Sequence, residues 1–523
     1  MPGLQIVDWI LIGLYAIGTL ALGLFYGRKQ ESTEEYFVAK RSVHPVLVGV
    51  SLFATLLSTI SYLSMPGEGA GKGPVFLVSM LAYPVIYWVI AHLLLPVYMQ
   101  YRVTSAYELL ESRLGLSVRL LGASMFLVLR LVWMTLLVNA ASAAMIVMMG
   151  IDPKWTPLVA GIIGAVAITY TSLGGLQAVI ITDFMQTVLL AGGAVLVVAT
   201  ISFALGGFQW FPTTWQPTWD TQPIFSWDPK TRTTAVGSVL SVLIWYVATM
   251  GGDQTSVQRF MATTNLAAAR KAVRIQLAIT VGVHILLFLT GFALLSYFRT
   301  NPQFLPSDID IKANADQLFP RYIAFHLPAG ISGLVAAAMF AAAMSSVDSG
   351  VNSITAVVQT DFLDRLGFRP ASERTHIWIS RLLALLIGGV VVSCSSLVDY
   401  VQGNIMAITN KTVNLLAVPI FCLFVFALFI PKAKPLGVWI GSLVGFAVAV
   451  LIAFSGPIVY WLHMRWNVPL ETFGVELLPS GQSAQDPISF QWIGPVTLIA
   501  DLTVGTLVSW MLARRDKTIA VSA

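Results

Sequence analysis

Charge is the first thing this sequence lacks. Of its 523 residues only 11% are Asp, Glu, Lys or Arg, less than half of the roughly 25% typical of soluble domains. A soluble chain of this length cannot cover its surface with so few charges, which excludes an ordinary cytosolic enzyme and a disordered chain. Cysteine is nearly absent too. Cys394 and Cys422 lie in apolar runs without ligand-type neighbours, so a disulfide scaffold is excluded and both read as small core hydrophobes. No H-E-x-x-H and no nucleophile elbow occurs. The glycine run GEGAGKG fails the P-loop spacing, because Pro66 stands where the first glycine belongs and Gly73 follows Lys72. What is abundant is hydrophobicity, at 57%. The net charge of +5 contains no long basic run and reads as loop charge facing an anionic membrane surface.

A helix of about 20 apolar residues crosses the hydrocarbon core. Such stretches fall near 4–27, 44–71, 74–100, 119–149, 155–173, 177–205, 233–262, 271–298, 322–363, 375–400, 404–430, 436–455 and 489–513. We therefore expect an all-α membrane protein of about 13 transmembrane helices. The first stretch has Asp8 but no basic residue before it, while Arg28 and Lys29 follow it, so it reads as a retained helix and not a cleaved signal. With the N-terminus outside, the cytoplasmic loops collect about 20 Lys and Arg, among them Arg119 and Arg259, against about 8 outside. This positive-inside asymmetry puts the C-terminus in the cytoplasm of a multi-pass plasma-membrane protein, the inner membrane in a bacterium. The loop 206–232 carries Trp210, Phe211, Trp215, Trp219, Phe225 and Trp227; an interfacial aromatic belt is the expected reading, a lid over an outer vestibule the alternative.

Polar interruptions inside apolar spans mark backbone that is buried in protein or lines a cavity. One lies in SLFATLLSTISYLSMPGEGAGKG (51–73), where Ser58, Thr59, Ser61 and Ser64 precede Pro66 and four glycines. A second lies in WYVATMGGDQTSVQRF (245–260), at Gly251, Gly252, Asp253 and Gln254. Each opens a set of about five helices, and paired interrupted helices point to a transporter built from inverted repeats. A third cluster, AAAMSSVDSGVNS (341–353), places Ser345, Ser349 and Asn352 on one helix face. Hydroxyls beside Asp348 are hard oxygen ligands suited to Na⁺, although serine also serves close helix packing. Asp183 lies one to two turns inside its helix and reads as a snorkelling residue or as a group reaching a central ion. Arg130, about three turns into its helix, needs a carboxylate: Asp253, Asp348 or a solute. Lys411, Gln402 and Asn410 are weaker cases of the same kind. His92 and His284 are expected to be packing residues, and Asp501 receives no role.

YFVAKRS (36–42), TSAYELLESRLG (104–115), TSLGGLQAVIITDFMQ (171–186), DQTSVQR (253–259) and AAAMSSVDSGVNS (341–353) together resemble the sodium:solute symporter family, which includes sodium–galactose, sodium–proline, sialic acid and sodium–monocarboxylate transporters. The resemblance implies a leucine-transporter-like core of two inverted five-helix repeats with broken first and sixth core helices. It divides the chain into an extra helix and loop (1–43), a first repeat (44–205), an outer loop (206–232), a second repeat (233–430) and C-terminal helices with a short tail (431–523). It implies a first Na⁺ site at Ala54, Leu57, Ala342, Ser345 and Ser346, and a second at Asp183, Ser345, Asp348 and Ser349. Many members carry a small or hydroxyl residue where this chain has Asp348, so that residue binds a second ion or forms an internal salt bridge. The sugar-binding pattern is missing at Leu56, Ile60 and Ser61. Ser58, Ser61 and Arg130 are similar in kind to sialic acid members, and Asp253, Gln254 and Gln402 complete the candidate solute ligands.

The expectation is a non-enzymatic symporter that uses one or two Na⁺ as coupling ions to import a small polar solute, tilted towards a carboxylate of the sialic acid or monocarboxylate type. The lipid bilayer and the solute are its expected partners; neither nucleic acid nor an obligatory protein partner is implied. Proton coupling through Asp183 or Asp348 is the nearest variant. A transporter-like sensor is the other, although ARRDKTIAVSA after the last span is short for a signalling domain.

Overall fold

The computed structural model describes residues 4–28, 30, 32–101, 103–305, 310–312, 314–396, 405–478 and 483–522, the side chains of 405–410 and 516–522 excepted. Gln402 and Asn410 therefore lie outside what can be placed. Among the described residues the chain is helical, with one isolated bridge, Leu477 to Ala484, as its only β pairing. Eleven helices are long and apolar enough to cross a membrane, or up to 12 counting a bent pair.

In chain order the main helices are α1 (Ile6–Gly27), α2 (Pro45–Leu56), α3 (Thr59–Gly71), α4 (Glu108–Leu114), α5 (Leu116–Met149), α6 (Thr156–Ala204), α7 (Ala235–Gly252), α8 (Gln254–Met261), α9 (Leu266–Thr300), α10 (Ile331–Val357), α11 (Glu373–Ser395), α12 (Ile405–Phe429), α13 (Pro435–Ala453) and α14 (Ile493–Ser522). An apolar segment, Pro74–Gln100, runs between α3 and α4. The helices with the most buried faces are those that carry the sequence motifs: α10 is buried over almost every residue from Val335 to Val357, whereas α1 is mostly lipid-facing. Asp8 on α1 caps the start of α10 by accepting from the backbone N–H of Gly330 and Gly333, both at 2.7 Å, and from Ser332 Oγ at 2.8 Å. A carboxylate at a helix N-terminus satisfies orphan donors and complements the dipole.

Two of the expected breaks are real, and one sits elsewhere than its residues suggest. Between α2 and α3 the chain extends at Leu57 (φ −92°, ψ 107°), and the Ser58 hydroxyl caps α3 by accepting from Ser61 N. The Pro66 and glycine run is not the break; it lies inside α3. Its glycines serve close approach: a Cβ on Gly67 would come within 2.2 Å of Asp316 Oδ1, and one on Gly69 within 3.1 Å of the Phe288 carbonyl on α9. Between α7 and α8 the chain extends at Asp253, whose carboxylate caps α8 by accepting from Thr255 N at 2.8 Å.

The spans expected at 155–173 and 177–205 are two helices, together labelled α6, that meet at a non-helical Gly175 (φ 60°, ψ −166°). Gln186 Nε2 donates to Tyr170 Oη at 3.5 Å; in a straight helix those residues would stand about 24 Å apart along the axis. The two halves therefore fold back on each other, and glycine is required at the turn because a Cβ would meet Tyr36 O at 2.8 Å.

The motif segments converge on one end of the bundle. Gln258 Nε2 donates to Phe37 O (2.6 Å) and Asn352 Oδ1 (2.8 Å), while its Oε1 accepts from Ser353 (2.8 Å). Arg119 is not a loop charge. It is buried and donates to Asp361 at 2.7 Å and Glu111 at 2.7 Å, with Arg365 closing on Glu111 at 2.6 Å. Arg259, also counted among loop charges, is fully buried on α8. The charge asymmetry survives without the two. At the other end, loop 206–232 docks on α3: Arg232 makes a bidentate pair with Glu68 (2.8 Å twice), Thr218 Oγ1 donates to Ala70 O, and Asp220 N to Lys72 O. Of its aromatics, Trp210 and Trp219 are buried while Phe225 and Trp227 are exposed, so the loop is more than a belt.

Candidate functional site

Ser345, two turns before Asn352 on α10, reaches the α2 end at the break. Its Oγ lies 3.2 Å from Ala54 O and 3.1 Å from Ala342 O. Beside it the Ser346 hydroxyl is buried with no partner in the protein. An unpartnered buried hydroxyl costs about 1–3 kcal/mol, so it needs a reason. Carbonyls at a helix break together with two serine hydroxyls form an oxygen-only donor set of the kind hard monovalent cations take. Leu57, three residues after Ala54, is the extended residue of the break.

One turn further along α10 stands a second polar cluster. Asp183 on α6 accepts from Ser51 Oγ on α2 at 2.5 Å and from Arg259 Nη2 at 3.3 Å, while its Oδ1 has no partner. Arg259 also donates to Ser349 Oγ at 2.5 Å, Ser51 Oγ at 2.7 Å and the Thr255 carbonyl at 3.0 Å. Asp348 accepts from Tyr170 Oη and, at 3.1 Å, from Ser349 Oγ. Among the described residues no cation pairs directly with Asp348. Two buried carboxylates thus stand near one guanidinium, which pairs with Asp183 and reaches Asp348 only through Ser349. Sequence reasoning missed Arg259, although it closes the DQTSVQR motif; one arginine at the end of an apolar span looks like the start of a loop.

Arg130 on α5 pairs with Asp253 and donates to Thr255 Oγ1 at 2.9 Å, both through Nη2. Its Nε is buried without a partner. The pair lines a small cavity of about 20 Å³ together with Thr55, Leu56, Trp133 and Trp245. Leu56, Trp133 and Trp245 also line a neighbouring cavity of about 90 Å³, which contains Ser61, Ser64, Tyr83 and His284. The two cavities adjoin beside the α2–α3 break. His284 is buried and satisfied, as a packing histidine is, with its Nδ1 3.0 Å from Tyr83 Oη, and it also lines the cavity. Periodicity could not reveal which side of α9 meets a cavity.

The remaining candidates scatter. Ser58 is buried as the cap of α3. Gln254 is spent on loop backbone, accepting from Ala106 N at 2.7 Å and donating to Thr104 O at 2.8 Å, and it lines neither cavity. Lys411 on α12 pairs with Asp486.

Comparison with known proteins gives the family and the fold. The model of the sodium:solute symporter family matches residues 36–445. The chain is 28% identical over 478 residues to the sodium/sialic acid symporter NanT of Aliivibrio fischeri, covering 87% of this chain and 90% of that one. It is 29% identical to the sodium/sialic acid symporter SiaT of Proteus mirabilis (86% and 90% covered) and 26% identical to mouse sodium-coupled monocarboxylate transporter 1 (91% and 77% covered). Among solved structures, a substrate-bound, outward-open Na⁺-coupled sialic acid symporter superposes with a TM-score of 0.81 at 24% identity, covering 97% of this chain and 98% of the other. It shares the fold. By the family match over most of its length, the chain belongs to the sodium:solute symporter family.

Proposed function

We propose that this protein imports a small carboxylate-bearing organic solute, of the sialic acid or monocarboxylate type named for its relatives, by symport with Na⁺. The observation that carries Na⁺ coupling is the Ser345 hydroxyl lying within 3.2 Å of both Ala54 O and Ala342 O beside the orphaned Ser346 hydroxyl. Ala54, Leu57, Ala342, Ser345 and Ser346 hold the first ion. Na⁺ there joins α2 to α10 and favours the state that receives solute, a population shift equal to the ion's differential affinity for the two states. One charge moving down about 100 mV supplies about 2.3 kcal/mol towards accumulation.

Arg130 takes the solute carboxylate with its free Nε edge, because a guanidinium fork matches a carboxylate. Ser61 and His284 face the solute body, and Asp253 orients Arg130. Asp183, Asp348 and Ser349 hold a second Na⁺, since two carboxylates against the single charge of Arg259 leave one negative charge to balance. The architecture is that of two inverted five-helix repeats over 44–205 and 233–430, within about 13 spans when α2–α3 counts as one and α6 as two. The N-terminus lies outside and the C-terminus in the cytoplasm. Rocking of one bundle against the other exposes the sites alternately.

A thermal-shift screen of the purified protein against sialic acids, monocarboxylates, amino acids and sugars, in Na⁺ and in choline, tests this. We expect a carboxylate that stabilises only with Na⁺ and no longer does so in Arg130→Gln. Stabilisation by a neutral sugar, or solute binding in Na⁺-free buffer that follows pH, contradicts it.

A further inference from the structure

A second, larger opening lies at the far end of α9. A groove of about 370 Å³ runs between loop 206–232 and the last turns of that helix, within the 300–1,000 Å³ range of small-molecule sites. Its walls include Trp210, Phe211, Gln216, Phe292, Ser296 and Arg299. Arg299 is exposed and donates to the Gln216 side-chain carbonyl, but among the described residues no carboxylate pairs with it. Arg232, on the same loop side, is by contrast held by Glu68 and Asp220. The open guanidinium has the donors for a carboxylate, and the exposed Phe211 ring offers a surface for the body attached to it.

Position adds the second argument. Arg299, Ser296, Phe292, Phe288 and His284 follow one another at spacings of three and four along α9, so they share a face. The groove at Phe292 and the inner cavity at His284 are eight residues apart, about 12 Å along the axis. Between them stand the buried rings of Phe288 and Phe292, with Trp219 against Phe292 at 5.5 Å. The groove is therefore in line with the solute cavity and closed from it by an aromatic plug, on the face that the positive-inside asymmetry makes the outer one.

We propose that this groove is an outer capture site for carboxylate-bearing solutes, anchored by Arg299, that loads the inner cavity when the plug opens. The role in loading rests on the solute class proposed above; the site itself does not need Na⁺, because none of its residues belongs to an ion cluster. The contrasting role for Arg299 is a plain interfacial arginine extended towards lipid headgroups.

Saturation-transfer NMR on the purified full-length protein in Na⁺-free buffer decides between them, with benzoate as the carboxylate probe and benzyl alcohol as its neutral analogue. We expect saturable benzoate binding, at least fivefold weaker in Arg299→Gln, largely restored in Arg299→Lys and unchanged in Arg130→Gln, with benzyl alcohol indifferent to all three. Melting temperatures control for folding, which an exposed position should not disturb. Absence of saturable, carboxylate-selective binding, or binding undiminished in Arg299→Gln, overturns the capture site. Failure of the inner reading looks different: it removes the Na⁺-dependent stabilisation that Arg130→Gln reports and leaves this signal in place.

Discussion

Arg259 shows what a single residue contributes here. Its guanidinium has no exposure and bonds Asp183, Ser349, Ser51 and the Thr255 carbonyl, so it ties α8 to α2, α6 and α10 at one point. Removing one partner of a buried pair strands the other charge, at a cost of about 3–5 kcal/mol. We expect Arg259→Leu to lower the melting temperature sharply, and the double variant Arg259→Leu/Asp183→Asn to recover much of the loss. Additive losses on thermal unfolding would mean the pair is not coupled as described. The residue types of this site were legible in the sequence: Ser345, Ser346, Asp183, Asp348 and Arg130 all stood out because polar groups are costly in a membrane. Their partners were not. A serine run does not say which carbonyl it meets. Arg259 resembles a loop charge, and His284 shows no cavity beside it, until neighbouring helices are in place. Gln254 failed for the opposite reason: it is polar and central, but loop backbone consumes it.

Elements carry the geometry that brings these residues together. Hydropathy marked the helices, and hydroxyls and glycines marked the interrupted ones, yet the position of the first break was not readable from proline and glycine. Pro66 sits in α3 and the real break is at Leu57, a residue with no breaking tendency. Tertiary contacts hold that extended residue: α10 provides Ser345 against Ala54 O where the helix stops. Gly175 was the more readable case. A 49-residue helical stretch cannot span one bilayer, so it must turn, and glycine is the residue for it. Gly175→Ala forces a side chain into a glycine-only conformation and against Tyr36 O, and we expect a loss of about 1–3 kcal/mol or more, read as a lower melting temperature.

At the α4 end, the Arg365 hydrogen bonds and Arg119 hold the Glu111 carboxyl below its ordinary value of 4.5. A carboxylate with a depressed folded pKa adds stability above its ordinary value and loses it as pH falls through the folded one. Acidification from pH 6 towards 3 should therefore lower the melting temperature, with a shallower slope in Glu111→Gln. An identical slope in that variant would show that other groups govern the acid limb.

At the scale of the whole molecule, scarcity of charge has two consequences. It makes lipid the solvent, and it leaves most of the buried charges in three clusters: Asp183, Asp348 and Arg259; Arg130 and Asp253; Arg119 and Asp361 with the half-buried Glu111. The first two flank the α2–α3 and α7–α8 breaks, where the helical ladder is interrupted and the proposed ion and solute sites lie. The third fastens the start of α5 to α4 and to the segment after α10, and lines neither cavity beside the breaks. In the proposed reading, ion and solute are coupled through a shared element: α2 carries Ala54 beside Ser345, and Thr55 and Leu56 line the cavity beside Arg130.

Equilibrium binding of radioactive ²²Na⁺ to the purified protein, wild type against Ser346→Ala, tests the central claim most directly. The account predicts saturable binding to the wild type that weakens at least tenfold in Ser346→Ala, while melting in Na⁺-free buffer stays the same. No saturable binding to the wild type, or undiminished binding to the variant, would contradict it.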